Sequence, residues 1–358
     1  MVDNLNIIIA DEDPVFIHLL KELCKSLNGI NVQGIARSNR MLVAKINSWN
    51  PDLILLDLAS DTGGIKIIDT IKNMNHDINV IITYKPFDHN SDVLVSALEA
   101  GVYECMEKPL DKNSRQYNEF RLHLLTITGL LRTRKRFSKR PKFKYKNKFF
   151  MPLETPGKPV RPALFTGKID IIVMASSTGG PEILSRIFSI LPGNLKVPIL
   201  LVQHIPAAMT QYFAKSLDDK SELDICQAGH GDIIMPSKVY VAPGGQHMTV
   251  SKPDDQGKRV MQLDTRPPVN SVRPSADVLF ESVAGSYKGN ILAIVLTGMG
   301  EDGKKGVAKM KAKGCTCITQ NAETCVVYGM PRAVDDAGLS DESLDPLSIT
   351  QKIVMAAH

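Results

Sequence analysis

The sequence predicts an α/β fold made of two doubly wound domains with mainly parallel sheets. Three observations predict it. Short, continuous apolar runs alternate with amphipathic stretches in both parts of the chain. Each strand-like run gives way to a helix-like one, the order expected of parallel strands covered by helices. One basic, proline-containing stretch interrupts the pattern, dividing 358 residues into a first domain over 1–130, a linker over 131–167 and a second domain over 168–358.

In the first domain LNIIIA (5–10), DLILLD (52–57), INVIIT (78–83) and VYECME (102–107) read as buried strands. PVFIHLLKELCKSL (14–27), MLVAKINSW (41–49) and SDVLVSALEAG (91–101) carry the 3.6-residue apolar period of helices. In the second domain KIDIIVMA (168–175), VPILLVQH (197–204), KVYVAP (238–243) and NILAIVLTG (290–298) read as strands, with hairpin-like material near 238–265. PEILSRIFSIL (181–191) and KKGVAKMKAKG (304–314) read as helices.

Residues 132–148 carry ten Lys/Arg and no acid, and removing them turns the net charge from +5 to −5. The basic character therefore belongs to one segment, predicted to be exposed and extended by charge and proline. No apolar run approaches the roughly 18 residues of a membrane span. The N-terminal MVDNLNIIIADED places acids where a secretory signal needs basic residues, so a cytoplasmic protein is expected. The six scattered cysteines form no CxxC pair and read as buried, reduced thiols.

Asp11 and Glu12 follow the first strand, Asp57 and Thr83 end the next two, and Lys108-Pro109 follows the last. In a parallel sheet these positions gather at the C-terminal edge, where α/β folds bind ligands. Clustered carboxylates repel unless a cation sits among them, and oxygen-only ligands favour Mg²⁺. A carboxylate beside such an ion can accept a phosphoryl group, whose oxygens a lysine and a hydroxyl would hold. Singly, each acid reads as a helix N-cap; their common register over four strand ends points to a site.

This arrangement resembles the receiver domain of two-component response regulators, a flavodoxin-like parallel sheet, over about residues 4–127. The resemblance implies that Asp57 is phosphorylated by a histidine kinase. It implies that Asp11 and Glu12, with Asp57, hold Mg²⁺, and that Thr83 and Lys108 read the phosphoryl group and shift the far face of the domain. Glu12 stands where a second Asp is usual, LASDTGGI replaces the usual turn after Asp57, and Cys105 stands at the aromatic switch position.

In the second domain IIVMASSTGGPEIL sets Ser176 and Ser177 directly after a strand, before glycines that open a helix. Such a turn presents a hydroxyl at the sheet edge beside helix N-terminal amides, though it is not a GxSxG elbow. A serine nucleophile needs a base. His204 ends the next strand, and Asp302 lies in LTGMGEDG after another, so a Ser-His-Asp constellation can converge at one edge. The TGMG turn offers backbone N–H groups, that of Met299 and Gly298, to an oxyanion. His230, His247, Asp232 and Asp277 compete for the same roles. The run Gly298–Lys305 matches a P-loop except that Lys305 replaces the Mg²⁺-binding Ser/Thr, which argues against nucleotide binding.

ASSTGGPE, QHIP, YVAPGGQHM, PPVNSVRPSADVLF, LTGMGEDGKKG and QNAETCVVYGMPRA, in this order, resemble the catalytic domain of chemotaxis protein-glutamate methylesterases over about 168–355. The resemblance implies a catalytic Ser177, His204 and Asp302, with Ala175-Ser176 where Gly-Ala is usual. It implies hydrolysis of glutamate γ-methyl esters on methyl-accepting chemoreceptors, with methanol released, and also deamidation of receptor glutamines. Arg273, in the 266–277 loop, is a candidate substrate contact. Mg²⁺ is expected only for receiver phosphorylation, and no cofactor for ester hydrolysis. The layout predicts that the unphosphorylated receiver limits access to Ser177. The alternative is a response regulator whose basic linker binds nucleic acid or membrane; no helix-turn-helix pattern supports DNA readout.

Overall fold

The computed structural model describes residues 4–58, 65–74, 77–86, 91–138 and 169–357. The chain forms two compact units.

The first unit follows the order β1 (Leu5–Ala10), α1 (Pro14–Ser26), β2 (Ile30–Ala36), α2 (Asn39–Trp49), β3 (Leu53–Asp57) and α3 (Ile65–Met74). It continues through β4 (Asn79–Tyr84), α4 (Ser91–Glu99), β5 (Glu104–Glu107) and α5 (Arg115–Ser138). The strands are all parallel, in the order β2-β1-β3-β4-β5. The order reverses between β1 and β3, and the crevice for a ligand lies at their carboxyl ends. Asp13 caps α1, accepting from the N–H of Val15 at 2.9 Å and Phe16 at 3.3 Å, with Pro14 at the first helical position. Phe16 of α1 meets Phe120 of α5 edge to face at 6.0 Å, which sets both helices on one side of the sheet.

Several features depart from the sequence reading, and helices α3 and α5 have no counterpart among the expected helices. Strand β2 has no counterpart among the expected strands, because its sequence INVQGIA is mostly half-buried at the sheet edge and shows no apolar run. Residues 132–138, expected to begin an extended linker, continue α5. The reason is local anchoring: Lys135 Nζ donates to Asn4 O at 3.0 Å and to Asp52 Oδ2 at 2.6 Å. Arg132 adds a bond to Asn28 O. Part of the basic run thus serves the first unit's own fold, and the rest of the expected linker lies outside the described residues.

The second unit contains β6 (Ile171–Ser176), α6 (Gly180–Phe188), β7 (Ile199–Gln203), α7 (Ala207–Asp218), β8 (Asp224–Gln227) and β9 (Lys238–Val241). Then come β10 (His247–Val250), β11 (Met261–Asp264), α8 (Ala276–Ser286), β12 (Ile291–Val295) and α9 (Lys304–Lys311). The chain closes with β13 (Thr316–Gln320), α10 (Met330–Asp336), β14 (Glu342–Leu344) and α11 (Pro346–Ala357). Seven strands form a parallel sheet in the order β14-β13-β12-β6-β7-β9-β8, and β10-β11 form a separate antiparallel hairpin. Every residue of β6, β7 and β12 is buried, as their unbroken apolar runs require of strands covered on both faces. Strand β6 has β12 on one side and β7 on the other, so the turns after these three strands share one edge.

All six cysteines are free, five of them buried, and burial pushes the thiols of Cys24, Cys315 and Cys325 up to about 12. Among the described residues no helix is long and apolar enough to cross a membrane.

Candidate active site

The edge shared by β12, β6 and β7 brings the three expected residues of the second domain together. The last backbone rung between β6 and β7 runs from His204 N to Ser176 O at 3.1 Å, placing the histidine beside the serine turn. On the other side, Ser177 N donates to Thr297 O at 3.0 Å. Gly298 follows, and a Cβ there would stand 2.8 Å from Ser177 Cβ and would also meet Met330 Sδ. Glycine is therefore what lets the turn after β12 close on the serine. Gly179, at φ 78°, caps α6 in the left-handed region and makes the sharp exit from the serine turn.

The two serines differ in environment. Ser176 is fully buried and its hydroxyl donates to Gln203 Oε1 at 2.6 Å. Ser177 is half-buried, and its hydroxyl makes no hydrogen bond among the described residues. Only Ser177 stands where a substrate can reach it.

His204 Nε2 lies 3.0 Å from Asp302 Oδ2. Asp302 is 2% exposed and sits on the N-terminus of α8. Its Oδ1 accepts from Ser275 Oγ at 2.6 Å, Asn270 Nδ2 at 2.9 Å and Asp277 N at 3.2 Å. Its Oδ2 also accepts from Ala276 N at 2.6 Å. Burial acts to raise this carboxyl, but the hydrogen bond and charge of His204, with Ser275 and Ala276, outweigh it and hold the pKa at about 2. The aspartate is a fixed anion facing one nitrogen of the ring. With Nε2–H donated to Asp302, Nδ1 is the nitrogen left to accept a proton.

The competing residues are occupied elsewhere. His230 is exposed and its Nδ1 accepts from Leu263 N at 3.1 Å. His247 is buried between Pro267 O, 3.1 Å from its Nε2, and Ser275 N, which donates to its Nδ1 at 3.3 Å. Asp232 accepts from Gly229 N at 2.7 Å. Asp277 accepts from Gly306 N and Asn270 Nδ2, both at 2.8 Å. The Gly306 amide, which a P-loop would offer to phosphate, is thus already held by a carboxylate.

Of the two amides expected to face an oxyanion, that of Gly298 is donated to Val327 O at 3.0 Å. That of Met299 has no partner among the described residues, so only Met299 keeps a free donor. Arg273, expected to touch substrate, donates from one guanidinium nitrogen to Thr265 O at 2.6 Å and Arg266 O at 3.0 Å. In this structure it pins its own loop.

In the first domain, Asp11 and Asp57 converge at the crevice between β1 and β3. Lys108 Nζ bridges them, 2.7 Å from Asp11 Oδ2 and 2.8 Å from Asp57 Oδ1, and also stands 4.6 Å from the centre of the Phe16 ring. All three charged groups are buried. Burial pushes the Asp11 carboxyl above its ordinary value, against the pull of Lys108 and the Asp13 amide. Thr83 pairs in register with Asp57 and is buried, its hydroxyl 3.5 Å from Leu56 O. Glu12, grouped with the aspartates by sequence, is exposed. Among the described residues no three His, Cys, Asp or Glu side chains are arranged to hold a metal ion.

The CheB methylesterase family matches residues 172–353, and the response regulator receiver domain family matches residues 7–116. The chain belongs to the CheB methylesterase family. A protein-glutamate methylesterase/protein-glutamine glutaminase of Desulfotalea psychrophila is 33% identical over 98% of both chains. One of the same name from Thermotoga maritima is 32% identical over 99% of both. The crystal structure of the Thermotoga maritima CheB methylesterase catalytic domain covers 52% of this chain and 98% of its own, at 40% identity and a TM-score of 0.51. The second domain is thus a methylesterase domain and the first a receiver domain.

Three polar residues of this cluster are not among those the sequence points to. Gln203 precedes the histidine, and Asn270 and Ser275 flank the prolines before α8. Each lies in one of the motif runs, but its partner is far along the chain. Ser275 and Asn270 reach Asp302 across 27 and 32 positions, and only the packing of α8 beside α9 brings them there.

Proposed function

We propose that this protein is a phosphorylation-controlled hydrolase that removes methyl groups from glutamate γ-methyl esters of chemoreceptors. The observation that carries the reading is the His204–Asp302 pair beside a half-buried Ser177, with Asp302 anchored as an anion on α8. His204 Nδ1 takes the Ser177 proton as Oγ attacks the ester carbonyl carbon, and the C=O electron pair moves to oxygen. The Met299 amide supports a donor for that oxyanion. Collapse breaks the C–OCH₃ bond, and the imidazolium protonates the leaving methoxide to methanol. Water, deprotonated by the same nitrogen, then attacks the glutamyl–serine ester, and Ser177 Oγ recovers the proton. A glutamine side chain enters the same route with ammonia as leaving group, which supports glutaminase activity.

The phosphoacceptor of the reading is Asp57, whose carboxylate oxygen bonds to phosphorus as the N–P bond of a kinase phosphohistidine breaks. Asp11 and Asp57 offer only oxygen donors, the ligand type a hard divalent ion takes, while Glu12 lies exposed next along the chain. Mg²⁺, when bound, would neutralise charge on the transferred phosphoryl group. Lys108 bridges both aspartates, which supports a role in following the phosphoryl oxygens; Thr83, in register with Asp57, would offer its hydroxyl to another.

The test is methanol release from methylated receptors, with and without a small-molecule phosphodonor. Ser177→Ala abolishes release, while Ser176→Ala still releases methanol. The reverse result moves the nucleophile by one position, and release without either serine refutes the reading.

A further inference from the structure

Beyond His204 N, no backbone rung among the described residues joins the β6 edge to the β7 edge, and the Ser177 amide is committed to the opposite neighbour, Thr297. The nucleophile and the base therefore stand on two turns that the ladder has ceased to couple. Gln203, the last residue of β7 and 1% exposed, spans that gap with its side chain. Its Nε2 donates to Ser177 O at 3.0 Å and to His204 O at 3.2 Å. Its Oε1 accepts from Ser176 Oγ at 2.6 Å. One amide has two N–H groups and a carbonyl, and all three are used on consecutive parts of the site.

We infer that Gln203, its carbonyl end held by Ser176, is the positioning residue that sets the spacing between nucleophile and base. The inference rests on the assignment of Ser177 and His204 made above. The two carbonyls that Gln203 holds belong to the two residues whose side chains react, so rotating either peptide would swing a reacting group away. The two backbone oxygens, which can only accept, set the orientation. They turn the NH₂ end of the amide toward themselves, and the Ser176 hydroxyl, able to donate or accept, meets the carbonyl end as a donor. A fully buried hydroxyl with that partner has a structural use and is not a second nucleophile. Gly180 leaves the space: a Cβ there would stand 2.8 Å from Ser176 Cβ and would overlap Gln203 Oε1.

The experiment uses the full chain with Gln203→Glu, Gln203→Met, Ser176→Ala and the Gln203→Met/Ser176→Ala double variant. A serine-directed fluorophosphonate counts the competent sites, and kcat and KM for methanol release from methylated receptor are expressed per labelled site. Gln203→Glu sets a carboxylate against two carbonyls at nearly unchanged volume; Gln203→Met removes all three bonds. Both lower kcat per site by roughly tenfold or more while KM stays within about twofold, as expected of a small displacement of reacting groups. Ser176→Ala lowers it by about two- to fivefold, and adds nothing in the Gln203→Met background, because its partner is gone. A residue serving only stability would reduce the number of labelled sites and leave kcat per site intact. That result, or independent effects of Ser176 and Gln203, overturns the inference. Should Gln203→Met yield no labelled protein, Gln203→Glu decides. A wild-type chain that releases no methanol, or is labelled away from Ser177, overturns the esterase assignment and the bracket with it.

Discussion

Replacing Asp302 by Asn tests whether the carboxylate works through its charge or its shape. The side chain keeps its volume, but an NH₂ group must now face donors on one of two sides. On the Oδ1 side it meets Ser275 Oγ, Asn270 Nδ2 and Asp277 N; on the Oδ2 side it meets His204 Nε2 and Ala276 N. The donors on the Oδ1 side outnumber the rest, so the NH₂ turns toward His204. The ring then answers by accepting at Nε2 and carrying its proton on Nδ1, which can no longer take the serine proton. A wrong tautomer of this kind lowers kcat by about a thousand- to ten-thousandfold. Stability falls as well. The folded state holds Asp302 at about 2 against an ordinary 3.8. At about 1.4 kcal/mol for each pH unit, that depression contributes about 2 kcal/mol. The sign follows from the depressed value: the contribution is complete above about pH 4 and is lost as pH falls toward 2. Urea unfolding of wild type and Asp302→Asn should therefore differ by about 2 kcal/mol or more at pH 7, and the gap should narrow below pH 4. Methanol release per labelled serine gives the kinetic arm. A variant that keeps more than a tenth of wild-type kcat, with Ser177 labelled normally, refutes the tautomer argument.

Three further outcomes are expected. Gly298→Ala, whose Cβ would press on Ser177 Cβ at 2.8 Å, should lower kcat far more than it lowers the thermal midpoint, as followed by methanol release and thermal unfolding. Lys108→Ala leaves two buried carboxylates facing each other, and should destabilise the receiver domain by about 3–5 kcal/mol in urea unfolding at pH 7, with part of the loss recovered near pH 4 as Asp11 takes a proton. Asp57→Asn, or a chelator added to wild type, should abolish stimulation by a phosphodonor while basal methanol release continues; stimulation that survives both removes Asp57 and the metal from the account.

The fold class was legible because buried parallel strands need unbroken apolar runs, and LNIIIA, DLILLD, IIVMAS and ILAIV have them. Reading failed where packing is one-sided or polar. Strand β2 at the sheet edge carries Gln33 and Gly34, and α5 ends in a basic run whose Lys135 reaches back to Asp52. The positions of Ser177, His204 and Asp302 were legible for a related reason. Each follows an apolar strand of one sheet, so their convergence required only that the strands be neighbours.

The sequence by itself determined that this chain has two α/β domains, that acids and a lysine end the strands of the first, and that serine, histidine and aspartate end those of the second. These follow from local rules of period and turn. Only the tertiary structure decided which serine is reachable, which of two glycine-turn amides stays free, and which aspartate faces the histidine. Those choices depend on burial and on hydrogen bonds between residues far apart in the chain. The same holds for Gln203, an unremarkable polar residue in sequence. Its neighbours across β6 turn it into a bracket between the two halves of the site.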